Sequence, residues 1–177
     1  MNEKKNLTTK ETFDLAVQNH QKNNLQVAEN LYKEILKTNP NHFESIYYLG
    51  TLLAQTKRFD LAKPLLYKAT QIQPNYAKAH NNLGVVLKEL EEHQKAISYF
   101  DKAIQINPKY EEAHSNLVVL LKELGEHQKI INYYAKAILI VPNSRVTING
   151  LSDLFKFTTL GNITKTNSAS LKELFLF

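Results

Sequence analysis

From Ala77 to Pro108 the chain reads AKAHNNLGVVLKELEEHQKAISYFDKAIQINP, with its apolar positions on two stripes separated by a polar break at Glu91-Glu92-His93. In the first half His80, Leu83, Gly84 and Leu87 stand at i, i+3, i+4 and i+7, one face of an α-helix. Ala96, Phe100, Ala103 and Ile104 make the second stripe, and Asn107-Pro108 ends it. Neither stripe is wide enough to form a core alone. The pattern therefore predicts two helices that pack on each other and on a further copy of the same unit.

The copies keep a strict register. Pro40, Pro74, Pro108 and Pro142 follow one another at steps of 34 residues, as do Leu15, Leu49, Leu83, Leu117 and Leu151. A period of 34 with helix–turn–helix content resembles the tetratricopeptide-repeat (TPR) family. The family's small positions hold Ala16, Gly50 and Gly84, then Ala28, Ala62 and Ala96. Its large position holds Tyr32, Leu66, Phe100 and Tyr134, followed by Ala69, Ala103 and Ala137. The resemblance implies an all-α, right-handed solenoid of antiparallel helix pairs. A lead-in over 1–8 precedes four repeats within 9–142 (9–42, 43–76, 77–110 and 111–144). A degenerate fifth-repeat or capping helix is expected over 144–157, then a loop and an incomplete helix over 158–177.

Local signals refine this outline. Thr8 and Glu11 fit a capping box before a helix that runs to about His20, and Lys22-Asn23-Asn24 makes the turn. Asn19 takes a place that is usually large and apolar, as suits the more polar outer face of an end repeat. Asp60 is the expected N-cap of the helix holding Pro64, which puts that proline in or just past the first turn. Val118 and Ile130 replace the small residues at the closest helix crossing of the fourth repeat. Overpacking such a crossing costs about 1–3 kcal/mol, so its helices should sit further apart than those of the third.

At the end of the chain, Ser170 and Glu173 form a second capping box, but only seven residues follow Ser170. A helix that short is unstable alone. The expectation is that the chain is the N-terminal piece of a longer protein; the alternative is that Leu174 to Phe177 fold back on the last repeat. This apolar tail also offers a route to homo-oligomers.

Composition narrows the chemistry. The chain has 177 residues, no cysteine and a formal net charge of +5 that includes only two arginines, Arg58 and Arg145. Without cysteine there is no disulfide, thiol chemistry or Cys-type zinc site. Lysines are spread through the repeats among glutamates rather than clustered, which argues against a nucleic-acid partner. No apolar run reaches the roughly 18 residues of a membrane span and no signal-peptide core is present, so the expectation is a cytoplasmic protein without a membrane partner.

No active site is expected, and no cofactor or metal. The five glycines are isolated, at 50, 84, 125, 150 and 161, so there is no phosphate-binding loop. His80 and His114 share one register position and read as packing residues rather than metal ligands. His93 and His127 fall in turns without paired carboxylates.

What remains is a surface. The face of each first helix opposite its core stripe lines the concave groove implied by the TPR resemblance. The second repeat contributes Tyr47, Tyr48 and Thr51, with Glu44 and Gln55 beside them. The third contributes Lys78, Asn81, Asn82, Val85 and Lys88, and the fourth Glu112, Ser115, Asn116 and Val119. A lining of amides and mixed charge suits the backbone of an extended peptide. The family's carboxylate clamp does not fit: Lys78 matches, but Asn82, Phe13, Val17 and Tyr48 occupy its other positions. Asn82 and Asn116 do match the asparagine ladder of O-linked GlcNAc transferase, although Asp14, Tyr48 and Gly150 break it elsewhere. The expected function is thus a non-catalytic scaffold for protein–protein interaction, holding a peptide or partner protein in its groove. The rival is the substrate-recruiting arm of a larger glycosyl-, sulfo- or methyltransferase.

Overall fold

The computed structural model describes Leu7–Ile140 and Gly150. It contains eight α-helices among the described residues: α1 (Thr9–Gln21), α2 (Leu25–Thr38), α3 (Phe43–Gln55), α4 (Phe59–Ile72), α5 (Ala77–Glu89), α6 (His93–Ile106), α7 (Glu111–Glu123) and α8 (His127–Ile140). They fall in two compact units, Met1–Tyr99 and Phe100–Phe177. The first holds α1 to α5 and the start of α6; the second holds the rest of α6, α7 and α8.

The helices begin and stop where local chemistry dictates. Thr8 caps α1 by accepting from the Glu11 backbone N–H at 3.2 Å, while the Glu11 carboxylate accepts from the Thr8 N–H at 2.8 Å. The capping box is formed as the sequence implies. Inside each helix pair one residue turns left-handed: Asn23 (φ 61°), Lys57 (φ 58°), Glu91 (φ 59°) and Gly125 (φ 69°). They repeat at the 34-residue step. In each turn the following N–H reaches back five residues, as in Asn24 to the Asn19 carbonyl (2.8 Å) and Arg58 to Leu53 (2.8 Å). This is a Schellman closure, which satisfies carbonyls that the ending helix leaves open. Gly125 adopts the conformation without the Cβ cost that Lys57 and Glu91 bear.

The expected cap of α4 needs correction. Its N-cap is Arg58, not Asp60, because the left-handed Lys57 delivers the chain into the helix two residues earlier. Pro64 is therefore the sixth helical residue, and the bond its missing N–H forfeits is the one to the Asp60 carbonyl.

In the first unit the core lies between the helix layers. Ala28, Tyr32, Ile46, Leu49, Leu52, Ala62, Leu66 and Leu83 are buried there. Gly50 is buried where α3 meets α4: a Cβ added to it would lie 2.9 Å from Leu66 Cγ and 3.3 Å from Leu65 Cβ. Leu15 is 37% exposed, unlike its buried register mates Leu49 and Leu83. A carboxylate is also buried in this unit. Glu29 of α2 accepts from both ends of the Arg58 guanidinium, at 3.1 and 2.7 Å, and from Lys33 at 2.6 Å. That pairing holds the Glu29 carboxyl below its ordinary range, with the Arg58 hydrogen bonds as the largest cause.

In the second unit Val118 and Ile130 are both buried. Gly150 is helical and buried against Tyr134, where an added Cβ would collide with the ring. The rest of the helix expected over 144–157, the segment 158–177 and most of the lead-in lie outside the described residues.

Candidate functional site

In the first unit the outward faces of α3 and α5 meet through one asparagine. The Asn82 amide nitrogen lies 3.1 Å from Thr51 Oγ1 and 3.3 Å from the Tyr47 hydroxyl. The single Thr51 hydroxyl proton is already committed to the Tyr47 carbonyl, at 2.9 Å. Thr51 Oγ1 can therefore only accept from Asn82, which fixes the amide with its NH2 group toward α3. The Asn82 carbonyl faces away from α3 and accepts a long contact, 3.4 Å, from Asn81 Nδ2. A carbonyl oxygen has a second lone pair. The side chain is thus both an inter-helix clamp and an oriented acceptor.

Aromatic rings form the floor beside it. Tyr48 meets Phe13 edge-on at 5.6 Å and Tyr47 edge-on at 5.4 Å, and it stacks on Tyr32 at 6.1 Å. Tyr47 in turn meets Tyr76 edge-on at 5.1 Å. Such pairs add about 0.5–1.5 kcal/mol each beyond area burial. Burial, reinforced by Tyr76, pushes the Tyr47 hydroxyl well above the usual tyrosine range, and it stays protonated at neutral pH.

Two of the residues expected to face the groove do not reach solvent. Tyr47 is 8% exposed and Asn81 is fully buried. Both stand on the flank of the outward stripe, which is covered once neighbouring helices stack. Of the others in this unit, Tyr48, Thr51, Asn82, Val85 and Lys88 are half-buried and Lys78 is exposed. In the second unit Glu112, Ser115 and Val119 are exposed on α7 and Asn116 is half-buried. Sequence reasoning missed Tyr76, which completes the aromatic floor from the loop before α5. Its signal is the fixed spacing of Tyr76 and Tyr110, each the N-cap residue of a first helix.

The two register-related histidines are packing residues. His80 Nε2 donates to the Pro74 carbonyl and His114 Nε2 to the Pro108 carbonyl, both at 2.8 Å. Since a carbonyl only accepts, each ring carries a proton on Nε2, and His114 Nδ1 is hydrogen-bonded to the Tyr133 hydroxyl. Among the described residues no group of three or more His, Asp or Glu is placed to hold a metal, and no helix is long and apolar enough to cross a membrane.

Paired helices joined by a repeating Schellman turn at a 34-residue step define a helical-repeat protein. The family models described as tetratricopeptide repeat match residues 21–77 and 77–110. The chain belongs to the tetratricopeptide-repeat family and is an all-α solenoid of that kind. A crystal structure of a MamA protein is 30% identical, with a TM-score of 0.68, covering 76% of this chain and 73% of that one. MamA 41-end from Desulfovibrio magneticus RS-1 is 22% identical over 78% of each chain, with a TM-score of 0.71, a likeness of fold alone. A Thermobaculum terrenum O-GlcNAc transferase mutant is 28% identical with a TM-score of 0.62, covering 68% of this chain but only 23% of that protein. No curated protein matches the sequence significantly. Tetratricopeptide repeats are scaffolds for protein interaction, and that general role is the one the family gives this chain.

Proposed function

We propose that the outward face of α3 and α5 in the first unit docks an extended peptide of a partner protein, with the Asn82 carbonyl accepting a peptide backbone N–H. The observation that carries this reading is the fixed amide: Thr51 and Tyr47 hold the NH2 group, so the carbonyl is oriented before any ligand arrives. Preorganisation of this kind removes an ordering cost from binding. Asn116 occupies the corresponding position of α7 in the second unit and is proposed for the same task there.

Magnitudes limit what the asparagine does. One neutral hydrogen bond contributes about 0.5–1.5 kcal/mol net, whereas micromolar affinity needs about 8 kcal/mol. Asn82 therefore sets peptide register, and Tyr48 and Val85 supply apolar contact. The test is a peptide panel against Asn82→Ala and Asn116→Ala, singly and together. Backbone recognition weakens every binding peptide alike. Loss confined to one subset of sequences would show that the asparagines read side chains, and the reading fails.

A second reading is favoured by the likeness to an O-GlcNAc transferase of which this chain spans under a quarter. In it the repeats recruit substrates for a larger transferase. Reading the gene past the Phe177 codon separates the two.

A further inference from the structure

On the other side of α5 from Asn82, the first unit contains a cleft of about 410 Å³. Leu83 and Leu87 of α5 form its floor; Lys63 and Tyr67 of α4 stand on one side, and Lys95 and Tyr99 of α6 on the other. Pro64, which also lines it, leaves the α4 wall short: its ring fills less space than the long side chains around it. The volume falls within the roughly 300–1,000 Å³ typical of small-molecule sites, and is too small for a helix.

The cleft is apolar in its body and rich in donors at its mouth. Glu92 holds both ammonium groups there: its Oε1 accepts from Lys63, and its Oε2 from Lys95 at 2.5 Å. An ammonium has three N–H donors, so each lysine keeps two more after the Glu92 bond. The carboxylate is satisfied, while the mouth keeps one net positive charge and spare donors. Burial, with Tyr67 nearby, raises the Tyr99 hydroxyl above its ordinary range, so it stays a donor. Glu92 likewise raises Lys95, which stays charged.

We propose that this cleft binds a small amphipathic carboxylate, its acyl or aromatic body on Leu83 and Leu87 between Tyr67 and Tyr99, and its anionic head on the Lys63 and Lys95 ammonium groups. Charge complementarity selects the occupant. An amine of the same shape meets net positive charge, and a neutral alcohol forgoes the charge-assisted bonds. Binding here is independent of peptide docking at Asn82, which lies on the opposite side of α5.

The test uses the full chain with octanoate, octanol and octylamine as probes, followed by calorimetry and by the ring signals of Tyr67 and Tyr99. Octanoate is expected to bind about tenfold more tightly than octanol, from one to two charge-assisted hydrogen bonds, with octylamine weakest. Lys95→Gln, at an exposed side chain, lowers octanoate affinity several-fold, to the order of the octanol value, and leaves octanol unchanged. Lys63→Gln does the same, with helical circular dichroism confirming the fold of each variant. Asn82→Ala leaves all three probes unaffected. Equal affinity for octanoate and octanol, no binding of either, or insensitivity to both lysine variants overturns the proposal. So does competition by peptides with an apolar anchor but no carboxylate, which would make the cleft a side-chain pocket.

Discussion

Gly50→Ala sets two effects of known size against each other. In a helix interior, alanine is favoured over glycine by about 0.8–1 kcal/mol. Against that, the new Cβ of residue 50 would arrive 2.9 Å from Leu66 Cγ and 3.1 Å from its Cδ2. Leu66 is fully buried, and the nearest atom is its branch point rather than a swinging end. The whole isobutyl group, or the α4 backbone, has to move. Overpacking of that kind costs about 1–3 kcal/mol. The sum favours the clash, so Gly50→Ala should destabilise by up to about 2 kcal/mol, and Gly50→Val by more. The assay is urea unfolding followed by helical circular dichroism, with the slope checked for constancy. Repeating it in a Leu66→Ala background supplies the control: with the clash removed, Gly50→Ala should become favourable by its propensity gain of about 1 kcal/mol. If Gly50→Ala stabilises the unmodified protein by that full amount, the close approach of α3 and α4 is not there and the reasoning fails.

Leu83→Ala removes a side chain that is 1% exposed and should cost about 2–5 kcal/mol, read in the same unfolding experiment; a loss below about 1 kcal/mol would mean α5 is not packed as described. Arg58→Ala should cost more than Glu29→Ala, because it leaves a carboxylate whose side chain is 4% exposed with Lys33 as its remaining partner, whereas the freed guanidinium at 38% can turn to water. The Glu29 carboxyl is depressed in the folded state, so its contribution is present above the ordinary carboxyl range and disappears as pH falls through the lower folded value; Glu29→Gln should flatten that acid limb of the stability profile.

The period of 34 residues made the succession of helix pairs and their turns legible, because a repeat states its register four times over. The α4 start was misread for a physical reason. Asp60 is a good N-cap type, but the cap is set by where the left-handed turn residue releases the chain, and Lys57 gives no compositional sign of adopting φ 58°. The groove was legible only as a face. A helical projection assigns Asn81 and Asn82 to neighbouring directions, yet stacking buries Asn81 completely and leaves Asn82 half-buried. That difference belongs to the adjacent helices and not to α5.

The same step of 34 holds a feature that composition obscures. Glu29 and Lys63 occupy one register position in successive helix pairs, and Arg58 and Glu92 occupy another. In the structure they form two ion pairs of opposite polarity, Glu29 with Arg58 and Lys63 with Glu92. A charge census sums these four residues to zero and reads them as solvated surface. Their geometry makes them contacts between successive helix pairs. Were the second helix of the first pair to stack on the turn of the third, Glu29 would face Glu92. The pair would be like-charged, with one carboxylate buried, which costs more than a surface ion pair gains. Repeats similar enough to share a fold are similar enough to stack out of order, and reversed polarity at a common position opposes that error. The Glu92 carboxylate then serves twice: it closes the junction through Lys63, and through Lys63 and Lys95 it sets the charge at the mouth of the apolar cleft.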